Sequence, residues 1–239
     1  MSPPPFVEAA WFTEVPEGRR IDWIVLHDME APEKGTTAES CARYFASGSG
    51  GRKASAHYCV DDNSVVQSVR DKDVAYGAAG ANAHGLHIEH AGYANQGADG
   101  WADAYSTAML RDQSAVLVAD LCATYGIPAR FVDAAGLKRG DKGITTHAEC
   151  SRAFKPGGHT DPGPDFPMGQ YLFWVASHIG HTPAPTAPEE DDMPYSPDEL
   201  SLIVEKAATK AIQKYLADRE SRLNKRLDNI ETQIKAAGK

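Results

Sequence analysis

Seven of the nine histidines in this 239-residue chain fall within its first 160 residues, and four stretches set histidine or carboxylate groups where they could act on a substrate. His27 follows the β-branched run Ile21-Asp-Trp-Ile-Val-Leu26, and His147 closes the run Gly143-Ile-Thr-Thr-His147. In His159-Thr-Asp161-Pro-Gly-Pro164 the residue before a proline is pushed into an extended conformation. Three extended residues would send His159 and Asp161 to the same side. In Leu86-His-Ile-Glu-His90, period-two alternation puts His87 and Glu89 on one face and Leu86, Ile88 and His90 on the other. A glutamate inside an otherwise apolar strand is costly to bury unless paired or put to use. Burial raises a carboxyl pKa, which suits a general base.

Taken singly, His27 and His147 read as hydrogen-bonded structural histidines, whereas His159 and Asp161, stiffened by two prolines, read as two functional side chains facing one site ahead of a plain Pro-Gly turn. Together, two histidines and one aspartate can make a three-ligand zinc site with its fourth position open, the catalytic rather than the structural arrangement. Cys41, Cys59, Cys122 and Cys150 form no C-x-x-C pair and read as buried free thiols in a reducing compartment, although Cys150, three residues past His147, is a further candidate ligand. H-E-x-x-H, G-x-S-x-G and nucleotide-binding glycine motifs are missing, and His87-Ile-Glu89 lacks the P-C-x-x-C that completes a zinc-deaminase site.

The elements that must carry these groups alternate between strand and helix. Strands are expected at 21–26, 56–60, 64–69, 85–90 and 143–147. A helix follows Thr36, where Thr36 and Glu39 have capping-box spacing, and runs to Gly48. A long helix is expected over 103–125, with Leu110, Leu117, Leu121 and Tyr125 on one stripe and Gly126 and Pro128 as its stop. A last helix is expected over 166–179. The interleaving predicts an α/β (α+β) fold, a central mixed sheet flanked by helices.

Composition changes at residue 182. Domains are expected at 1–181 (catalytic), 182–196 (a Pro-rich, acidic linker) and 197–239 (a helical tail). Leu216, Leu223, Leu227, Ile230 and Ile234 form a short heptad seam, interrupted at Glu220; a self-associating coiled coil is the expectation, slightly ahead of a single amphipathic helix folding back on the domain, with partner docking as the coiled coil's other use. The net charge is −9; residues 189–239 carry 11 acids and 9 bases, so the deficit lies mainly in the N-terminal domain. That balance argues against a duplex nucleic-acid partner. No run approaches the roughly 18 apolar residues of a membrane span, and Met1-Ser-Pro-Pro-Pro-Phe6 lacks signal-peptide character.

In order along the chain, Ile24-Val-Leu-His27, Ser55-Ala-His57-Tyr-Cys-Val60, Gly85-Leu-His-Ile-Glu89, Gly143-Ile-Thr-Thr-His147 and His159-Thr-Asp-Pro-Gly-Pro-Asp-Phe-Pro167 resemble the zinc-dependent N-acetylmuramoyl-L-alanine amidases. These are the type 2 amidases, related to peptidoglycan-recognition proteins, and the details look most like endolysins of phages with actinobacterial hosts. The likeness spans roughly residues 18–176. It implies that His27, His147 and Asp161 bind Zn2+, that Glu89 is the catalytic glutamate, and that His159 takes the place of an oxyanion-stabilising lysine. It places His57 where some members carry a tyrosine near the metal's water, and assigns His57 and Tyr58 to substrate binding. Two departures stand out: Ser151–Gly158 is inserted before Asp161, and the usual Trp-His after the third strand is Tyr76-Gly77.

The resemblance implies bacterial peptidoglycan as the partner and cleavage of the bond between the muramyl lactyl group and L-alanine. As an endolysin, the protein would remain in the host cytoplasm until lysis and then act on the wall. A non-catalytic peptidoglycan-binding module and an intracellular muropeptide-recycling amidase are the alternatives. Filled ligand positions and Glu89 favour an enzyme, and the linker and tail favour a lysin.

Overall fold

The computed structural model describes residues 3–155 and 158–179. The linker and helical tail expected at 182–239 lie outside these residues.

The strands are β1 (Phe12–Thr13), β2 (Trp23–Asp28), β3 (Tyr58–Val60), β4 (Val65–Gln67), β5 (Val74–Ala75), β6 (Gly85–His90) and β7 (Gly143–Thr146). Five of them form one sheet in the order β4-β3-β6-β2-β7, while β1 and β5 pair as a separate ribbon. Contacts β3–β6, β6–β2 and β2–β7 are parallel and β3–β4 is antiparallel, so the sheet is mixed as the alternating pattern predicts. The helices are α1 (Thr37–Ala46), α2 (Gly97–Trp101), α3 (Ala104–Ala108), α4 (Ala115–Tyr125), α5 (Ala134–Arg139), α6 (His147–Phe154) and α7 (Met168–Ile179).

Side-chain alternation divides the sheet into two faces with different tasks. Ile24 and Leu26 of β2, Leu86 and Ile88 of β6, and Ile144 of β7 pack with Leu110, Val118 and Leu121 and with Tyr171 and Val175 of α7. This is the main core, and the coefficient of about 25 cal/mol per Å² of buried apolar surface makes it the chief stabilising contribution. The opposite face carries two smaller clusters. Ala38, Ala42 and Phe45 of α1 cover Cys59 and Val66, and Cys150 of α6 joins Val132 and Leu137 against Trp23 and Val25. Between these clusters the same face presents His27, His87 and Glu89.

Several expectations change in detail. The helix expected over 103–125 runs continuously from Ala104 to Tyr125, but its middle, Met109–Ser114, is a π-helical stretch between α3 and α4. Asp103 caps α3 by accepting from Ser106 N–H at 2.8 Å. Thr36 occupies the N-cap of α1 but makes no side-chain cap. Asp61 Oδ2, from the loop after β3, takes the Ala38 N–H at 3.0 Å instead, and Glu39 accepts from Ser64 Oγ at 2.8 Å. A long-range carboxylate thus displaces the local capping box. His147 does not end a strand but opens α6, capped by Thr146 Oγ1, which accepts from Glu149 N–H at 3.2 Å. Part of the insertion before Asp161 is therefore helix. Among the described residues no helix is long and apolar enough to cross a membrane.

Candidate metal centre

Parallel pairing brings the reactive groups together. β2 and β6 run side by side with His27 directly opposite Glu89 and Val25 opposite His87. The His27–Glu89 pair lies toward the carboxyl ends of these parallel strands, where open α/β sheets form ligand crevices. β7 flanks β2 on its other side, and the first residue after it is His147. Asp161 enters from the segment before α7, where its carbonyl accepts from Ala148 N–H at 3.0 Å. Gly163 lets this segment lie close to the loop after β6: its φ is +92°, and a Cβ there would collide with Ala94 O.

Three donor atoms converge as a result. His27 Nδ1 lies 3.1 Å from His147 Nδ1 and 3.2 Å from Asp161 Oδ2, and His147 Nδ1 lies 3.2 Å from the same oxygen. All three side chains are buried. Ligands bonded tetrahedrally at 2.0–2.1 Å are spaced about 3.3–3.4 Å apart, so this nearly equilateral triangle has the size a Zn2+ ion requires. Two imidazoles and a carboxylate are also the nitrogen and oxygen donors that zinc accepts. Among the described residues this is the one group of histidine, cysteine and carboxylate side chains close enough to hold a metal. Cys150 does not join it; its side chain is fully buried in the α6 cluster.

The electrostatics suit a cation. Burial drives the Asp161 carboxyl upward, but hydrogen bonding to His147 and His27 outweighs it and holds the group well below the usual carboxylate range. Burial lowers the His27 pKa, which favours the unprotonated ring that a metal needs.

The triangle opens into a cleft of about 500 Å³ that also receives Asp28, Glu30, Cys41, Tyr44, Tyr76, Glu89 and His159. Burial, and then the proximity of Cys41, Asp161 and Asp28, push the Glu89 carboxyl well above its ordinary pKa. Its Oε2 is buried without a hydrogen-bond partner. Asp28, also fronting the cleft, has its pKa pushed up to about 7 by burial, and its Oδ2 is likewise unpartnered. His159 lies over the rim, two-thirds exposed, with its ring stacked on His147 at a 3.9 Å centroid distance. Its Nδ1 is 3.7 Å from Asp161 Oδ1, so the two side chains do share a side. Thr160 and His159 also border a second groove, of about 640 Å³, with Phe131, Thr146 and Met168 on its walls.

His27, His147, Asp161, Glu89 and His159 are therefore brought into one site. His57 and Tyr58 are not among the residues that line this cleft. His57 is fully buried, its Nδ1 accepting from His87 N–H at 3.0 Å and its Nε2 lying 3.2 Å from Asp73 O. Tyr58 points into the main core and donates to Asp71 Oδ1 at 2.7 Å. Ser55 and Tyr76 line the cleft in their place. The sequence reading assigned no role to Asp28 or His87. For His87 the signal was present, since it shares a strand face with Glu89.

A sequence profile of N-acetylmuramoyl-L-alanine amidases matches residues 17–164. No curated protein sequence matches the chain closely enough to count as a relative. Among solved structures, the hydrolase AmiA of Staphylococcus aureus is 16% identical, with 75% of this chain and 85% of that chain covered and a TM-score of 0.52. AmpD is 19% identical, covering 73% and 96%, with a TM-score of 0.52. A mutant endolysin from Bacillus subtilis is 17% identical, covering 75% and 100%, with a TM-score of 0.50. At such identities the structural likeness establishes a shared fold.

Proposed function

The chain belongs to the N-acetylmuramoyl-L-alanine amidase family, and from that premise we propose that it is a zinc-dependent peptidoglycan hydrolase. It cuts the amide between the lactyl group of N-acetylmuramic acid and L-alanine of the stem peptide. The observation that carries this reading is the buried triangle of His27, His147 and Asp161 opening into the same cleft as the unpartnered carboxyl of Glu89.

His27, His147 and Asp161 hold the ion. Bound there, Zn2+ supplies a lowered water pKa and polarises a carbonyl. Glu89, its carboxyl facing the cleft beside the triangle, takes the proton of the attacking water as the new C–O bond forms. It then delivers that proton to the alanine nitrogen as the C–N bond breaks. His159 reaches the same space from the rim and donates a ring N–H to the carbonyl oxygen as that oxygen gains charge. Burial and the neighbouring His147 lower its pKa.

The enzyme acts as an endolysin, made in the bacterial cytoplasm and released onto the wall at lysis. Support for this comes from the Pro-rich acidic linker and heptad seam of residues 182–239, an appendage that a muropeptide-recycling enzyme does not need. The same seam is the ground for self-association. Full-length protein should be larger in solution than a chain ending at 188 by more than one tail's mass; equal oligomeric states refute it.

The test is to incubate the protein with purified cell walls and measure new amino termini and new reducing ends, with zinc or with a chelator. New N-terminal L-alanine without new reducing ends is expected, and the chelator should abolish it. No release with zinc present overturns the enzyme reading, and wall binding without release assigns a binding module instead.

A further inference from the structure

Beyond the triangle, a second buried imidazole stands behind the metal-facing ring of His27. His27 Nε2 is 3.0 Å from His87 Nδ1, and the two ring centroids are 5.2 Å apart. His87 is fully buried and takes no part in the proposed chemistry. Its surroundings hold it in one place. Its backbone N–H donates to His57 Nδ1, and the His57 ring stacks on it at 5.7 Å and 17°. On another side Gly77 leaves it room, since a Cβ there would fall 2.6 Å from His87 Cγ.

This contact bears on which nitrogen of His27 carries its proton. His27 Nδ1 faces the other two donors, so it must be bare to bind a cation. The neutral ring then carries its proton on Nε2, where the atom within reach is His87 Nδ1. His87 Nδ1 must accept, leaving the His87 proton on Nε2. In the reverse arrangement His87 donates, His27 Nε2 is bare, and a proton on His27 Nδ1 points into the triangle and obstructs the ion.

We propose that His87 is a positioning residue that accepts the Nε2 proton of His27 and so presents Nδ1 to the metal. This rests on the zinc-centre reading given above. Outer-shell partners of metal-bound histidines commonly set ligand orientation and basicity, and their loss typically costs 10–100-fold in metal affinity. Here an imidazole takes the place usually filled by a carboxylate, a backbone carbonyl or water.

The experiment measures zinc dissociation constants of the full chain by chelator competition, together with the visible spectrum of the Co2+-loaded protein. His87→Phe keeps a ring and removes the acceptor, and zinc should bind 10–100-fold more weakly, with altered Co2+ bands. His87→Asn sets an amide oxygen near the position of Nδ1 and should recover most of that affinity. Melting of the metal-free proteins separates this from unfolding, and His87→Ala replaces His87→Phe if the latter does not fold. Zinc binding by the Phe or Ala variant as tight as wild type overturns the proposal, as does failure of Asn to recover affinity in a folded protein. The zinc-centre reading fails separately, if wild type binds no zinc or Asp161→Ala binds it equally well.

Discussion

Replacing Glu89 with glutamine separates its proton chemistry from its place in the fold. The side chains are nearly isosteric, and Glu89 lies outside the donor triangle, so zinc content should stay at the wild-type value. Loss of a positioned general base typically costs 10²–10⁴-fold, or about 2.7–5.5 kcal/mol in the barrier, and that fall is expected in kcat on cell-wall substrate. Stability should move the other way. Burial raises the Glu89 pKa in the fold, so the native state holds this proton more tightly than the unfolded chain. Above the unfolded value near 4.3, wild-type stability therefore declines as pH rises, until the folded pKa is passed. The slope is at most about 1.4 kcal/mol per pH unit, and contact with water at the cleft lowers it. Glutamine does not ionise and lacks this slope. Urea unfolding in chelator at pH 5, 6, 7 and 8 should show the variant gaining on wild type as pH rises. Parallel stability profiles would refute the assigned burial of charge, and near-wild-type kcat in a zinc-loaded variant would refute the base.

Three further outcomes follow from particular contacts. Asp161→Ala removes one corner of the triangle and should abolish stoichiometric zinc binding, measured by metal analysis after dialysis, along with activity. His90 is buried and neutral, bonded to His27 O and Ser114 Oγ, with its pKa pushed down to about 4 by burial. Its contribution is complete above pH 6.5 and is lost as pH falls toward 4, by about 3 kcal/mol, so His90→Asn should flatten the acid limb of a denaturation series. Gly163→Ala forces a Cβ against Ala94 O at positive φ. It should destabilise by about 2 kcal/mol or more and weaken zinc binding, read by thermal melting and chelator competition.

Much of this site is legible along the chain because its signals are local. The alternation in Leu86–His90 puts Glu89 and His87 on one face in any strand they form. The proline after Asp161 limits how that segment enters. The mixed sheet follows from β-branched runs interleaved with helical stripes. Five short blocks in order were enough to indicate the amidase family.

Other features depend on partners distant in sequence. Nothing near Thr36 tells that Asp61 will cap α1 in its stead, or that Thr146 will start a helix and turn His147 inward. His57 and Tyr58 sit in a family-like block, yet the packing of Arg19, Asp71 and Asp73 around them draws both away from the cleft. The convergence of His27, His147 and Asp161 to within 3.2 Å joins segments up to 134 residues apart. The sequence alone determined which chemical groups this protein has and which face of its strand each occupies, because those follow from side-chain type and backbone period. The distances between them and the raised pKa of Glu89 were decided only by tertiary structure, because strand pairing and burial act between residues remote along the chain.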